Sequence, residues 1–152
     1  MHPFSMAKIK KFQFPLWSVL PLCIAGLGLS FSKAPTQAQL TIEGITSIRG
    51  SVRVALYNKP EGFTEPKKAV HLKSVSVESA TVIVDLNVPP GRYAVAVFHD
   101  ENNNGVLDKN AFGLPTEAYG FSNNARGRFG PPDFNSCVVE IGPNTKNSIK
   151  VR

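Results

Sequence analysis

Apolar side chains recur at every second position through most of this chain after residue 38, and helical spacing does not. Val52, Val54 and Leu56 alternate with Arg53, Ala55 and Tyr57; Val75 and Val77 alternate with Ser74, Ser76 and Glu78. Val82, Val84 and Leu86 follow, then Tyr93, Val95 and Val97, then Val138 with Ile141, and last Ile149 and Val151. Successive side chains of a strand point to opposite faces, so each run buries one face and wets the other. Short β-branched runs divided by turn residues predict an all-β antiparallel sandwich of about seven strands. The spans expected are residues 39–45, 49–57, 69–77, 80–88, 91–99, 136–142 and 146–151. Glu78-Ser79-Ala80 is short enough to close a hairpin, while Pro89-Pro90-Gly91 and Gly142-Pro143-Asn144-Thr145 are turn chemistry. Arg92 to His99 holds the longest proline-free alternation and is expected at the centre of a sheet. Residues 101–135 show neither period. Their Phe112, Leu114, Tyr119, Phe121, Phe129 and Phe134 predict one long, ordered loop that buries aromatic groups.

The first 38 residues read as an address. Lys8, Lys10 and Lys11 precede an apolar run from Leu16 to Leu29, and Ala34-Pro35-Thr36-Gln37-Ala38 is a small-residue exit, so a secretory signal peptide cut after Ala38 is expected. The run is shorter than the ~20 residues of a spanning helix and contains Pro21, which predicts no permanent membrane span after cleavage. A single domain, residues 39–152, remains. Cleavage removes Lys8, Lys10, Lys11 and Lys33 from the 17 Lys+Arg and none of the 11 Asp+Glu, leaving 13 basic against 11 acidic residues, a net +2. No basic block interleaved with aromatics survives, and nucleic acid is not an expected partner. Cys23 leaves with the signal, so Cys137 has no intrachain partner and is expected to pack, reduced, as a small hydrophobe. A small exported domain without disulfides often depends on another staple, such as a metal.

Asp100-Glu101-Asn102-Asn103-Asn104-Gly105-Val106-Leu107-Asp108 supplies such a candidate. Calcium takes six to eight oxygens, and an EF-hand loop provides them from positions 1, 3, 5, 7 through a backbone carbonyl, and 9, with glycine at 6. Counted from Asp100, these are Asp100, Asn102, Asn104, Val106 and Asp108, with Gly105 at the turn. Position 12 is Ala111 where a bidentate glutamate belongs, and Glu117 is the expected substitute. The bland alternative is that Asn102-Asn103-Asn104-Gly105 is only a turn, since both residue types tolerate left-handed geometry.

Pro90-Gly91-Arg92-Tyr93, running through Phe98-His99-Asp100 to Asn102, Asn104-Gly105 and Leu107-Asp108, and then Gly113-Leu114-Pro115-Thr116-Glu117-Ala118-Tyr119-Gly120-Phe121-Ser122-Asn123-Asn124, resembles an exported bacterial family known as domain of unknown function 2141. The resemblance runs from about Leu40 to Val151. It implies an immunoglobulin-like or prealbumin-like sandwich outside the cytoplasm, and it implies no established activity. Cys137 departs from the pattern, standing where the family resembles a small apolar residue.

Three function classes are open at this level. The first is a secreted or periplasmic, non-enzymatic β-sandwich whose calcium-organised loop serves a structural or ligand-binding role in the cell envelope, with an envelope or extracellular ligand as partner. The second is a carrier or adhesion module that takes a glycan, lipid or polyanion on Tyr119, Arg126, Arg128 and Phe129, the arginines meeting carboxylates or phosphates. The third, a metal-dependent enzyme, needs His99, Asp100, Asp108 and Glu117 to gather. There is no Gly-x-Ser-x-Gly or His-Glu-x-x-His sequence to support it, so no enzyme and no catalytic residue is expected.

Overall fold

A computed structural model describes residues 36–152; the expected signal segment through residue 35, with Cys23, lies outside the described residues. The eight strands are β1 (Thr36–Glu43), β2 (Ser51–Tyr57), β3 (His71–Ser76), β4 (Thr81–Val88), β5 (Gly91–Asp100), β6 (Tyr119–Phe121), β7 (Val138–Ile141) and β8 (Lys146–Lys150). One helical turn, α1 (Phe134–Cys137), precedes β7, and short 3-10 turns occupy Pro66–Lys68 and Ser122–Asn124. One sheet runs β4-β1-β8. The other runs β3-β2-β5-β6, and β7 joins the same edge of β5 as β6 but at its opposite end, facing Gly91–Ala94 where β6 faces Ala96–Phe98.

The period-two pattern makes the core. Val82, Val84, Leu86 and Val88 are buried while Thr81, Ile83, Asp85 and Asn87 are exposed. They meet Leu40 and Ile42 of β1, Ile149 of β8, Val52, Val54 and Leu56 of β2, and Val95 and Val97 of β5 in one cluster between the sheets. Each such side chain contributes about 1.5–3 kcal/mol by leaving water. β5 is central and covered on both faces, because a second cluster of Ala94, Phe121 and Cys137 with Phe63 and Phe134 lies on its outer side. There Tyr57, Phe121 and Phe134 surround the Phe63 ring at centroid distances of 5.3, 5.9 and 5.6 Å.

Several expectations are corrected. β1 and β8 pair in parallel, so the sandwich is not wholly antiparallel. Alternation carries no strand direction, and two strands this far apart in sequence have ample chain for a crossover. β3 and β4 form no hairpin. The Val77 N–H extends the β2 side by donating to the Gly50 carbonyl, and residues 78–80 then pass to the other sheet. The 101–135 segment is not free of regular structure, since it contains β6 and the start of α1. Ser136 and Cys137 belong to α1 rather than to a strand. Aromatic burial in that segment is partial: Phe121 is buried, but Phe112 and Phe129 are 88% and 99% exposed. Finally, β1 begins at Thr36 rather than at residue 39, with Ala38 buried opposite Leu86.

Candidate functional site

The end of β5 delivers Asp100 into the loop, and Asp100 is fully buried. One carboxylate oxygen, Oδ1, accepts from the Asn104 backbone N–H at 3.0 Å; the other, Oδ2, accepts from the Gly105 N–H at 2.8 Å and from Arg53 Nε at 2.5 Å. Arg53 is on β2, two places from Ser51, which faces Asp100 across the ladder. Burial alone would push the Asp100 carboxyl up; the guanidinium and the two backbone donors outweigh it and hold the group below the usual carboxylate range. Asn103 and Gly105 have φ of 58° and 85°. That conformation is cheap for glycine and tolerated by asparagine better than by most residues, which explains the Asn-Gly chemistry of the turn.

Further along, the loop doubles back on itself. Asn102 Nδ2 donates to Asp108 Oδ2 at 2.7 Å and Asn104 Nδ2 to Asp108 Oδ1 at 2.9 Å. The amide oxygens of the same two asparagines accept from Asn104 N–H and Val106 N–H. Glu117, 8% exposed, staples the loop base: Oε1 accepts from Glu101 N–H at 2.9 Å and Oε2 from Asp108 N–H at 3.1 Å. Arg49 closes one flank with a 2.6 Å ion pair to Glu101, whose carboxyl that hydrogen bond lowers against partial burial.

Of the six residues expected at an ion, Asn102, Asn104 and Asp108 therefore meet directly. Glu117 joins Asp108 through its backbone, Asp100 is engaged by Arg53, and Val106 is exposed at the loop tip. A shallow depression is lined by Arg49, Glu101, Asn102, Asp108, Thr116 and Glu117. Among the described residues no three of His, Cys, Asp and Glu gather closely enough to hold a metal by themselves, so an ion here must recruit asparagine oxygens. The gathering of His99 with Asp100, Asp108 and Glu117 is not found among the described residues. His99 is buried on the inner face, its Nε2 2.8 Å from the Arg49 carbonyl, whereas Asp100 points to the outer face. Arg53 was not legible as a site residue, because it reads as the wet side of an alternating strand.

The second candidate region is also divided by the structure. Tyr119 and Arg126 line a cleft of 160 Å3 with Gly120, Asn124, Lys150 and Arg152; Arg128 and Phe129 are outside its lining. Cys137 is fully buried, and burial, with Asp133 adding, pushes its thiol up to about 11.

Taken with the fold, these features define an all-β sandwich carrying a hydrogen-bonded acidic loop at the end of its central strand. Residues 40–150 match the family described as "Uncharacterized protein conserved in bacteria (DUF2141)", and the chain belongs to it. No curated protein and no solved structure matches the chain.

Proposed function

We propose that this domain is a non-enzymatic binding or structural module of the cell envelope or extracellular space, and that its 100–117 loop takes up calcium. The observation that carries the proposal is the convergence of Asn102, Asn104 and Asp108 within 2.9 Å on a loop already braced at both ends by Asp100 and Glu117. Turning over the two amides exchanges their N–H donors for carbonyl oxygens, so three side chains then present oxygen to one point, with Glu117 at the base. The exchange costs the two charge-assisted hydrogen bonds to Asp108 and the two that the amide oxygens accept from the Asn104 and Val106 N–H groups, and the ion must outweigh all four.

Charge sets the strength. Asp100, Asp108 and Glu117 supply three carboxylates, but Arg53 cancels one of them at 2.5 Å. Fewer effective charges and a flexible shell correspond to the weak class of calcium sites, with Kd of about 10−4–10−3 M, suited to calcium-rich extracellular fluid. Calorimetry of the metal-stripped domain tests this. The expected result is a saturable calcium heat in that range, with a melting temperature raised roughly 5 °C at a tenfold excess over Kd, where linkage supplies about 1.4 kcal/mol. Asp108→Ala should remove both. Absence of heat and of a melting shift at ten millimolar calcium (about that concentration being tenfold the weakest expected Kd) would leave the loop a turn and end the proposal.

A further inference from the structure

The cleft beside β6 combines three cationic side chains with an aromatic one: Arg126, Lys150, Arg152 and Tyr119 line it, and no aspartate or glutamate does. Among the described residues the ion pairs are Arg49–Glu101 and Arg53–Asp100, so none of these three cations has a carboxylate partner. The backbone around them is fixed. Tyr119 and Arg152 exchange N–H to carbonyl bonds of 3.1 Å in both directions, tying β6 to the end of β8. Asn124, at φ 52°, accepts from the Lys150 N–H through Oδ1 at 2.9 Å, which leaves its Nδ2 as the end available to the cleft. Its neighbour Asn123, also left-handed, donates to the carbonyls of Ser136 and Val138. Two successive left-handed residues, each held by a side-chain bond, brace the wall that carries Arg126.

Glycine makes the floor. A Cβ on Gly120 would stand 2.7 Å from the Lys150 carbonyl oxygen and 2.9 Å from Ile149 Cγ2, so no larger residue lets β6 and β8 approach this closely. The volume of 160 Å3 is well under the ~300–1,000 Å3 of a pocket for a drug-sized ligand. The cleft therefore suits a head group, with the rest of the ligand outside.

We propose that this cleft binds an oxyanion, carboxylate or phosphate, carried on a ring that lies against Tyr119, with Arg126, Lys150 and Arg152 as its counter-charges and Asn124 Nδ2 as a neutral donor. Guanidinium groups match the paired oxygens of either anion, and lysine adds a point charge. The site is separate from the calcium loop.

The test is a titration followed by backbone amide NMR on metal-stripped protein in calcium-free buffer without a polycarboxylate chelator, so that its failure says nothing about the loop. Glucose 6-phosphate and glucuronate are the anionic probes, and glucose is the neutral one. Both anions are expected to shift the amides of Tyr119, Gly120, Asn124 and Lys150 saturably, and glucose to leave them still. Arg126→Ala and Lys150→Ala should each weaken binding about tenfold, whereas Arg128→Ala, outside the cleft, should not. Tyr119→Ala should weaken both ring-bearing anions and leave inorganic phosphate unchanged. Melting curves establish that these exposed substitutions leave the fold intact. Phosphatidylinositol vesicles, whose phosphate is carried on a ring, against phosphatidylcholine vesicles distinguish a lipid source of the phosphate from a soluble one; retention on the former alone, lost in Arg126→Ala, supports the oxyanion and assigns it to lipid. Equal response to glucose, equal loss in Arg126→Ala and Arg128→Ala, or no saturable response to any anionic probe or vesicle would overturn the proposal.

Discussion

The acidic loop and the basic cleft spend their charges in opposite ways. In the loop almost every charged oxygen has a donor inside the chain: Asp100 holds Arg53 and two backbone N–H groups, Asp108 holds two amides, and Glu117 holds two more N–H groups. In the cleft Arg126, Lys150 and Arg152 have no aspartate or glutamate partner among the described residues, and the fixed parts are backbone and asparagine. Charges satisfied within the chain set shape, and charges left over set what the surface attracts. On the proposed readings the loop would bind an ion only by giving up bonds it already has, whereas the cleft would give up water alone.

The sharpest way to break this contrast is to remove the two aspartates of the loop separately. Asp100→Ala leaves the half-exposed Arg53 and the Gly105 N–H without their acceptor, while the Asn104 N–H keeps Asn102 Oδ1, and should cost about 2–3 kcal/mol, the scale of an acceptor lost from partly buried donors. Asp108→Ala removes only exposed contacts and should cost under about 1 kcal/mol. Urea midpoints measure both, and equal losses would mean that Asp100 is no more of a brace than Asp108. Gly120→Ala comes next, at about 1–3 kcal/mol, because the added carbon meets backbone rather than a movable side-chain end. It should also open the cleft and weaken anion binding.

Acid sharpens the same comparison with a smaller effect. The Asp100 carboxyl is held below its ordinary value when folded, so its contribution is fully present above the unfolded-state value near ~4 and is lost as pH falls through the folded value. Melting temperature should therefore fall more steeply below about pH 4 in the natural sequence than in Asp100→Asn. Parallel acid slopes would contradict the role given to the Arg53 pair. The smallest effect is expected from Phe112→Ser, within about 0.5 kcal/mol, because that ring is 88% exposed.

How much of this was legible in the sequence follows from what kind of signal each part leaves. β4 was readable because alternation over its eight residues is unbroken, and β5 because Tyr93, Val95 and Val97 keep the period within a run that holds no proline. β6 was not, since Tyr119-Gly120-Phe121 is too short for a period and its glycine reads as a loop. The loop chemistry was visible as alternating oxygens around Gly105, and the structure brings Asn102, Asn104 and Asp108 together. Its brace was not visible: Arg53 lies 47 positions before Asp100, and only the β2–β5 register joins them. Lys150 and Arg152 were missed for the same reason. They reach Tyr119 through the reciprocal Tyr119–Arg152 backbone bonds and the close approach of Gly120 to Lys150, and no local pattern announces that contact. Phe112 and Phe129 misled because apolar residues favour the interior without being confined to it.

The central claim is that the loop can trade its own hydrogen bonds for an ion, and the side-chain amides of Asn102 and Asn104 report on that trade directly. Their NH2 resonances, followed by NMR as calcium is added to the metal-stripped domain, should leave the positions set by the Asp108 carboxylate and saturate together with the calorimetric heat. Amide signals that stay fixed while calcium reaches roughly ten millimolar, tenfold above the weakest site expected, would contradict it and leave the loop a self-sufficient turn.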